Sequence, residues 1–358
     1  MKVLYLTGMH STKYGGLERY NIDLAKKGVE LSIVYNSRPN SIEYIRDINR
    51  HDIPLYVVDG GFISRAIQIL RIIRIENPSI IHYHFGKLMY ILAPLCAILY
   101  PKISQVYTIH CEFPELNRLE HFLMNICVRC FDLIICVSEG VRQGFINSYE
   151  SQKVVVSYLG VKKRKLLETE LKDRLNIKED TVVLTSVGFD VNVKGYDILA
   201  EAVLNLNKNG GVQNYKILLI GLSQSEEDAL NRILKELGVN DYFISVGIVD
   251  NIDDFLYISD IYLQPSRTEA ISLSIMEAMQ YALPIIATRT GGIPEVCIDK
   301  VNGFLFEKGD AIELANLMNK LISDSVLRNI LGRKSLELSS KFSLENSVDR
   351  LISLYENL

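Results

Sequence analysis

The second half of the chain holds the densest set of side chains able to do chemistry. Residues 263–279 pass from a strand-like stretch through a loop of small residues into a helical one. Glu269 lies in the loop, Glu277 lies eight residues later in the helix, and either Ser272 or Ser274 can cap that helix. A helix N-terminus offers N–H groups and a positive dipole end to a phosphate. Carboxylates suit sugar hydroxyls better than phosphate. The segment therefore predicts a site that binds both groups.

Two other short segments have residues that suit anion binding. Lys194 follows a strand that ends at Gly188, and an ammonium there can reach a diphosphate as a point charge, although a solvated lysine fits equally well. Gly15 and Gly16 precede a helical pattern, where backbone amides can approach an anion; an ordinary turn is the alternative. Their spacing from Gly8 does not fit the dinucleotide fingerprint, which disfavours an NAD-dependent dehydrogenase.

Four of the six histidines cluster near predicted strand ends, namely His82, His84, His110 and His121. His82 and His84 share one strand face and are possible metal ligands. No acidic or third ligand accompanies them, so packing is favoured. His110 follows a strand directly, at the carboxyl edge where parallel sheets present functional side chains.

The elements that must position these residues alternate regularly. Short β-branched runs are predicted as strands at 3–7, 30–35, 55–58, 80–83, 105–109, 133–137, 154–157, 182–187, 216–220, 243–246, 261–264, 285–288 and 303–306. Helical patterns lie between most of them, which predicts parallel sheets with crossover helices. The basic stretch 161–166 separates two series, so we predict one domain over 1–161, completed by a helix within 342–358, and another over 166–341. Two doubly wound domains place a ligand in the cleft between them.

Composition supports two globular domains, and the two halves of the sequence carry opposite net charge. The 358 residues are 48% hydrophobic and 23% charged, which excludes a disordered or fibrous chain and suffices for about two cores. The net charge of −4 conceals +7 over residues 1–165 and −11 over the remainder. Opposite charges predict different partners for the two halves, and a basic first half suits anionic lipid. Nothing indicates a nucleic-acid partner.

Cysteine usage and hydropathy predict a cytoplasmic protein that does not span a membrane. The six cysteines form no regular framework, so reduced thiols are favoured over disulfides; Cys127 and Cys130 form a CxxC without a second pair, and zinc or redox chemistry is disfavoured. The longest uncharged apolar run, 88–100, contains Pro94 and is shorter than the ~20 residues that a span needs. It predicts a core helix or an interfacial contact.

Taken together, these motifs resemble family 4 of the retaining glycosyltransferases, which have the two-domain GT-B fold. The resemblance extends over nearly the whole chain. The matching pieces are Gly15-Gly16 with Glu18, Thr108-Ile109-His110, Val137-Ser138-Glu139, Gly188 with Lys194-Gly195, Pro265-Ser266, Glu269-x7-Glu277-Ala278-Met279, Ala287-Thr288, Gly291-Gly292-Ile293-Pro294-Glu295 and Asn302-Gly303. Of these, the two glutamates in that order and context are specific.

The resemblance implies a role for each candidate residue. Glu277 would bind the ribose of a nucleotide sugar, and Glu269 would hold the donor hexose. His110 would lie beside the transferred sugar and support the transition state. The remaining implied donor contacts are the amides of Ser272 and Leu273 with Lys194 at the diphosphate, the Gly15-Gly16 loop closing on it, and the backbone near Gly221 and Ile248 at the nucleobase.

One departure from the family pattern concerns the leaving diphosphate. The family usually has arginine directly after the glycine at 188, and this chain has Phe189. A cation is missing where negative charge develops, an effect worth several kcal/mol in such sites. Arg267 is a candidate substitute. The family is thought to retain anomeric configuration by attack on the face that the diphosphate leaves, without a protein nucleophile or a required metal.

We therefore predict a retaining, nucleotide-sugar-dependent hexosyltransferase at the cytoplasmic membrane surface. The acceptor would be a lipid-linked polysaccharide or another glycoconjugate, and peripheral association with anionic membrane would accompany it. No cofactor beyond the nucleoside-diphosphate sugar is expected. Two alternatives remain: a non-catalytic glycosyltransferase-like subunit, which Phe189 makes credible, and a sugar-nucleotide epimerase of the same fold.

Overall fold

A computed structural model describes residues 1–8, 11, 14–112, 116–151, 153–163, 165–167, 170–208, 210–249 and 251–358. The chain divides into two compact units. The first comprises Met1–Gly160 and Leu344–Leu358, and the second comprises Val161–Ser343. The chain passes between units at points a few residues from the predicted domain limits. Within the predicted basic linker, Arg164 lies outside the described residues.

The described part of the first unit forms a sheet of seven parallel strands in the order β3-β2-β1-β4-β5-β6-β7. The strands are β1 (Lys2–Leu6), β2 (Glu30–Tyr35), β3 (Leu55–Val57), β4 (Ile80–Tyr83), β5 (Ser104–Ile109), β6 (Leu133–Cys136) and β7 (Val154–Val156). The helices are α1 (Gly16–Lys26), α2 (Ile42–Arg50), α3 (Phe62–Glu76), α4 (Met89–Leu99), α5 (Arg118–Cys130), α6 (Glu139–Ile146) and, from the chain end, α16 (Leu344–Glu356). Apolar residues of α1, α2 and α16 pack on one face of the sheet.

The described part of the second unit forms a sheet of six parallel strands in the order β10-β9-β8-β11-β12-β13. The strands are β8 (Val182–Val187), β9 (Tyr215–Ile220), β10 (Phe243–Ser245), β11 (Ile261–Gln264), β12 (Ile285–Thr288) and β13 (Gly303–Phe306). The helices are α7 (Leu171–Arg174), α8 (Val191–Lys194), α9 (Tyr196–Lys208), α10 (Gln224–Leu237), α11 (Asp253–Tyr257), α12 (Leu273–Met279), α13 (Ile293–Val296), α14 (Ala311–Ser323) and α15 (Ser325–Ser339), with 3-10 turns at Asn240–Tyr242 and Ser340–Phe342. Helices α9, α10 and α14 cover one face of this sheet.

Each sheet reverses its strand order at one place, and several candidate residues follow the strands there or the strand next to them. In the first unit β1 lies beside β4, and in the second unit β8 lies beside β11. Loops diverge at such a reversal and leave a crevice at the carboxyl ends of the strands, where α/β domains bind ligands. The predicted doubly wound α/β fold is confirmed. Burial on both faces explains an unbroken apolar strand such as β6, whose four residues are all buried.

No helix among the described residues is long and apolar enough to cross a membrane. The apolar run predicted from sequence forms α4, which contains Pro94. All six cysteines are free thiols, and Cys127 is buried while Cys130 is partly exposed. Burial raises the pKa of the Cys127 thiol to about 12, so this residue is a packing thiol rather than a reactive thiolate.

Candidate functional site

In the second unit, the loop after β8 has little free space. Lys194 is the last residue of α8, whose N-cap Asp190 accepts a hydrogen bond from the Val193 amide at 2.7 Å. The chain then turns at Gly195, which has φ +66°, and a β-carbon there would lie 2.1 Å from the carbonyl oxygen of Pro265. Glycine is therefore required at 195 for both conformation and space. The turn brings α8 against the loop that follows β11.

Close contact between these two loops joins two of the predicted site residues. Nζ of Lys194 lies 2.9 Å from Oε2 of Glu269, although the residues are 75 positions apart in sequence. The side chains are only 10% and 17% exposed. Partial desolvation strengthens such an ion pair, but it also makes each charge dependent on its partner. The edge of the sheet therefore presents a cation and a carboxylate side by side, one suited to phosphate and the other to a hydroxyl.

Helix α12 begins at the cap that the sequence left undecided. Ser272, not Ser274, is the N-cap: its Oγ accepts the Ile275 amide at 3.2 Å. Both serine hydroxyls donate to Oε1 of Gln264, at 3.3 and 3.2 Å. The amide group of Gln264 also donates to Ser266 at 2.6 Å. A buried polar network anchored on β11 thus fixes the loop and the first turn of α12, where Leu273 is the first helical residue.

Glu277 lies on α12, with its side chain half-buried. Its neighbours in the helix, Met276 and Ala278, are buried against the unit, so the carboxylate occupies the edge of the packed face. Glu277 also raises the pKa of the buried Tyr262 hydroxyl on β11, after the larger effect of burial. The two carboxylates therefore belong to one loop and helix at the end of one strand.

The two residues predicted near the nucleobase differ sharply in their surroundings. Gly221 follows β9 with φ +101°, its amide donates to the carbonyl of Gly247 at 2.6 Å, and an added β-carbon would lie 2.9 Å from the carbonyl oxygen of Gly188. Ile248 is 71% exposed. Gly221 thus permits the ends of β8 and β9 to approach closely, and Ile248 offers an uncovered apolar side chain.

Arg267 has partners of its own. Its guanidinium makes a bidentate ion pair with Asp197, at 2.8 and 2.6 Å, and a 2.6 Å hydrogen bond to the Asn192 carbonyl. Bidentate pairing fixes the planar group in one orientation. These three bonds use three of its five N–H donors, and its charge is already partnered by Asp197. Phe189, where the resembled family has arginine, is 65% exposed and contributes no charge.

In the first unit, the Gly15-Gly16 turn forms the N-terminus of α1. Gly15 is the N-cap, and its amide donates to Oε2 of Glu18 at 3.0 Å. The other oxygen of that carboxylate accepts the Ser11 hydroxyl at 2.8 Å, and Glu18 is buried. The Gly15 amide, which was predicted to meet an anion, therefore already donates its hydrogen bond to the Glu18 carboxylate. Glu18 had no separate role among the sequence predictions, although a glutamate three residues after the cap is a recognisable capping signal.

Three of the four histidines predicted to cluster lie together at the ends of β4 and β5. Both ring nitrogens of His82 are hydrogen-bonded. Nδ1 contacts the Tyr355 hydroxyl, and Nε2 lies 2.6 Å from Oγ1 of Thr108. Nδ1 of His84 lies 2.9 Å from Nε2 of His110. Burial lowers the pKa of His110 to about 3, and that of His82 and His84 well below the usual range, so the three rings are neutral at physiological pH.

These hydrogen bonds account for His82 and His84 without a role in binding a metal. Both nitrogens of His82 already have hydrogen-bonding partners, which leaves that ring no lone pair for a metal ion. Among the described residues, no group of three or more histidine, cysteine or acidic side chains is arranged to hold a metal. His121, the fourth member, bonds to Tyr149 through Nδ1 at 2.6 Å, away from the other three on α5.

Comparison with known proteins identifies the family. Residues 14–164 match the model described as Glycosyltransferase Family 4, and residues 168–337 match the one described as Glycosyl transferases group 1. The two matches together cover most of the chain. The chain therefore belongs to the glycosyltransferases that these two models describe. The resemblance stated from the motifs is thereby confirmed.

Individual members of this glycosyltransferase family align along most of their length. The N-acetyl-alpha-D-glucosaminyl L-malate synthase of Bacillus anthracis is 24% identical, over 93% of this chain and 90% of the relative. A UDP-Gal:alpha-D-GlcNAc-diphosphoundecaprenol alpha-1,3-galactosyltransferase of Escherichia coli is also 24% identical, over 81% of this chain and 78% of the relative. Relatives in this family therefore act on different acceptors, one of them lipid-linked.

The fold is shared with proteins of solved structure. HepE of Anabaena, crystallised in complex with UDP and glucose, superposes with a TM-score of 0.86 at 20% identity, and the match covers 100% of both chains. A likeness at this identity establishes the architecture. The GT-B fold class expected from sequence is confirmed, with the glycosyltransferase candidate residues at the carboxyl edges of its two sheets.

Proposed function

We propose that this protein is a retaining glycosyltransferase that transfers a hexose-type sugar from a nucleoside-diphosphate sugar to a glycoconjugate or lipid-linked polysaccharide. The observation that carries the proposal is the Lys194–Glu269 pair at the edge where β8 adjoins β11. A cation and a carboxylate at that edge match the two chemically different ends of a sugar bound through its diphosphate.

Each group then has one task. Lys194 stabilises the charge that develops on the leaving diphosphate, as the amides of Ser272 and Leu273 do from the start of α12. Glu269 accepts a hydrogen bond from a hydroxyl of the hexose, and Glu277 accepts hydrogen bonds from the hydroxyls of the ribose. No side chain is required as a nucleophile, because the acceptor attacks from the face that the diphosphate leaves. The positioning of the substrates and the stabilisation of the leaving group provide the rate enhancement. UDP and glucose in the crystals of HepE support a donor of this class.

Glu277→Ala tests donor binding. We expect UDP-sugars to raise the melting temperature of the wild-type protein, and the variant to bind them about 10- to 100-fold more weakly, because a hydrogen bond to a charged group is worth ~1.5–3 kcal/mol. The measurement is a thermal-shift titration over several nucleoside-diphosphate sugars. Glu236→Ala removes an exposed carboxylate from α10 of the same unit and serves as the control. Equal affinity in both variants contradicts the assignment.

Product analysis separates the proposal from its alternatives. Proton NMR of the product should show the anomeric configuration of the donor, and a chelator should leave turnover unchanged. An inverted product contradicts the retaining mechanism. An isomerised nucleotide sugar formed without acceptor indicates an epimerase, whereas tight donor binding without turnover over an acceptor panel indicates a non-catalytic subunit.

The same proposal places the enzyme at the cytoplasmic face of a membrane. Free thiols suit a reducing compartment. Helices α4 and α5 of the first unit carry several exposed apolar side chains, of which Ile98, Leu99 and Phe122 are 76%, 54% and 62% exposed. No charged residue occurs in α4, while α3 adds Arg65, Arg71 and Arg74. An apolar stripe accompanied by cations favours an anionic bilayer, and the lipid-linked acceptor named for the E. coli relative agrees with it.

Replacing Ile98, Leu99 and Phe122 together by serine tests the membrane contact. We expect sedimentation with phosphatidylglycerol-containing vesicles to fall at least about tenfold, since each buried apolar side chain contributes ~1.5–3 kcal/mol. Binding of the wild type should weaken with salt and with neutral lipid. The control triple replaces the exposed apolar residues Val326, Ile330 and Leu336 of α15 in the second unit. Unchanged sedimentation of the first triple contradicts the contact.

A further inference from the structure

A second histidine lies directly against His110. His84 follows β4, His110 follows the neighbouring strand β5, and their rings stack with centroids 5.2 Å apart. The 2.9 Å between His84 Nδ1 and His110 Nε2 is a hydrogen bond in which one nitrogen donates and the other accepts. Because both rings are neutral, a single hydrogen occupies the contact. Its location decides which nitrogen of His110 has a hydrogen for a ligand.

The far side of His84 determines where that hydrogen lies. Nε2 of His84 is buried and has no hydrogen-bond partner among the described residues. If His110 donates to His84, Nε2 of His84 carries a hydrogen and becomes a buried donor without an acceptor in the described part of the chain. If His84 donates instead, its Nε2 is a bare acceptor. Orphaned buried donors are rarer than under-satisfied acceptors in native proteins, so the second arrangement is favoured.

We propose that His84 is a positioning residue: its Nδ1–H donates to Nε2 of His110 and holds His110 in the tautomer whose Nδ1 carries the hydrogen. His110 is only partly exposed, and with Nε2 engaged by His84 its Nδ1 is the nitrogen left to meet a ligand. A sugar oxygen at that nitrogen accepts a hydrogen bond rather than donating one. The catalytic consequence rests on the proposed function, whereas the tautomer does not.

The surroundings hold His84 in the orientation that this role needs. Its ring stacks on His82 at 4.1 Å and packs on Tyr5 at 4.4 Å, and its backbone amide donates to the Leu6 carbonyl at 3.1 Å. His82 is itself fixed from both sides by Tyr355 and Thr108. Rotation of His84 would disturb this whole stack. The donor to His110 is therefore preorganised, which is the usual contribution of a group that orients a functional imidazole.

Nitrogen NMR of the full chain, labelled in its histidines, tests the tautomer without any substrate. We expect His110 to show a protonated Nδ1 and a bare Nε2, with its signals assigned by their loss in His110→Gln. In His84→Phe, which removes the donor, His110 should change to the Nε2–H form. In His84→Asn, whose side-chain NH₂ lies where Nδ1 did, the original tautomer should persist. An Nε2–H signal for His110 in the wild type, or an unchanged tautomer in His84→Phe, overturns the proposal.

Controls keep folding and function apart. His51→Gln changes a histidine of another region, after α2, and should leave the His110 signals unchanged. The backbone spectrum and melting curve of His84→Phe show whether the variant is folded, and His84→Asn decides the question if it is not. In turnover assays His84→Phe should lower kcat by about 10- to 100-fold with little change in KM, and His84→Asn should restore most of it. If no sugar nucleotide binds or reacts, the proposed function fails while the NMR result still decides the tautomer.

Discussion

Lys194→Ala is expected to lower kcat/KM for the nucleotide sugar by about 10²- to 10³-fold. Losses of this size accompany the removal of one preorganised group that stabilises developing charge. Lys194 is buried, and the α8 turn holds its ammonium group in place. Because Phe189 brings no charge and Arg267 is paired with Asp197, the proposed leaving diphosphate would depend strongly on this ammonium. Steady-state kinetics with the best donor from the thermal-shift screen measures the effect.

The same variant should also be less stable, by about 1–2 kcal/mol. Glu269 keeps a partly buried carboxylate without its ammonium partner, and residual solvent access makes the loss smaller than for a fully buried pair. Lys334→Ala is the matched control, because Lys334 pairs with Glu337 at 2.6 Å and the two side chains are 50% and 61% exposed. It should alter neither melting temperature nor turnover appreciably. Full activity in Lys194→Ala, with or without destabilisation, would show that Lys194 has only a structural role.

The strands and their periodicity were largely predictable from the sequence, because each strand is a short apolar run bounded by polar turns. Strands β2, β4, β8, β11, β12 and β13 have the predicted limits, and the other limits differ by one residue. The order of the strands was not predictable in this way. Order depends on which crossover helix packs on which face, and that is a tertiary choice that no local pattern encodes. The two reversals that define the crevices therefore required the structure.

Local pattern also explains which site features could be anticipated. Glu269, Glu277 and the cap of α12 lie within nine residues, so their spacing on one loop and helix was visible in the sequence. The Lys194–Glu269 pair was not, since it joins loops after two strands that become neighbours only in the folded sheet. His84 was assigned to packing on its own strand. Its hydrogen bond to His110 crosses from β4 to β5 and depends on their register.

Gly188→Ala is expected to reduce turnover about 100-fold without touching a charged group. A β-carbon at 188 would lie 2.4 Å from Cγ of Lys194 and 2.8 Å from the hydroxyl of the buried Tyr196. Tyr196 is confined by the core, so the lysine stem must move. A displacement of about 1 Å at a reacting centre can cost that much in rate. The backbone at 188 is outside the left-handed region, so the strain comes from the side chains alone.

Two comparisons make this result specific to Lys194. Gly61→Ala adds the same methyl group where nothing lies within 4 Å, and it should leave turnover unchanged. Overpacking at 188 should cost about 1–3 kcal/mol of stability, which a melting curve measures separately from rate. Combining Gly188→Ala with Lys194→Ala should reduce turnover little beyond Lys194→Ala alone, because both changes act on the same ammonium. Additive losses in the double variant would contradict that coupling and would point instead to a direct role for the backbone at 188.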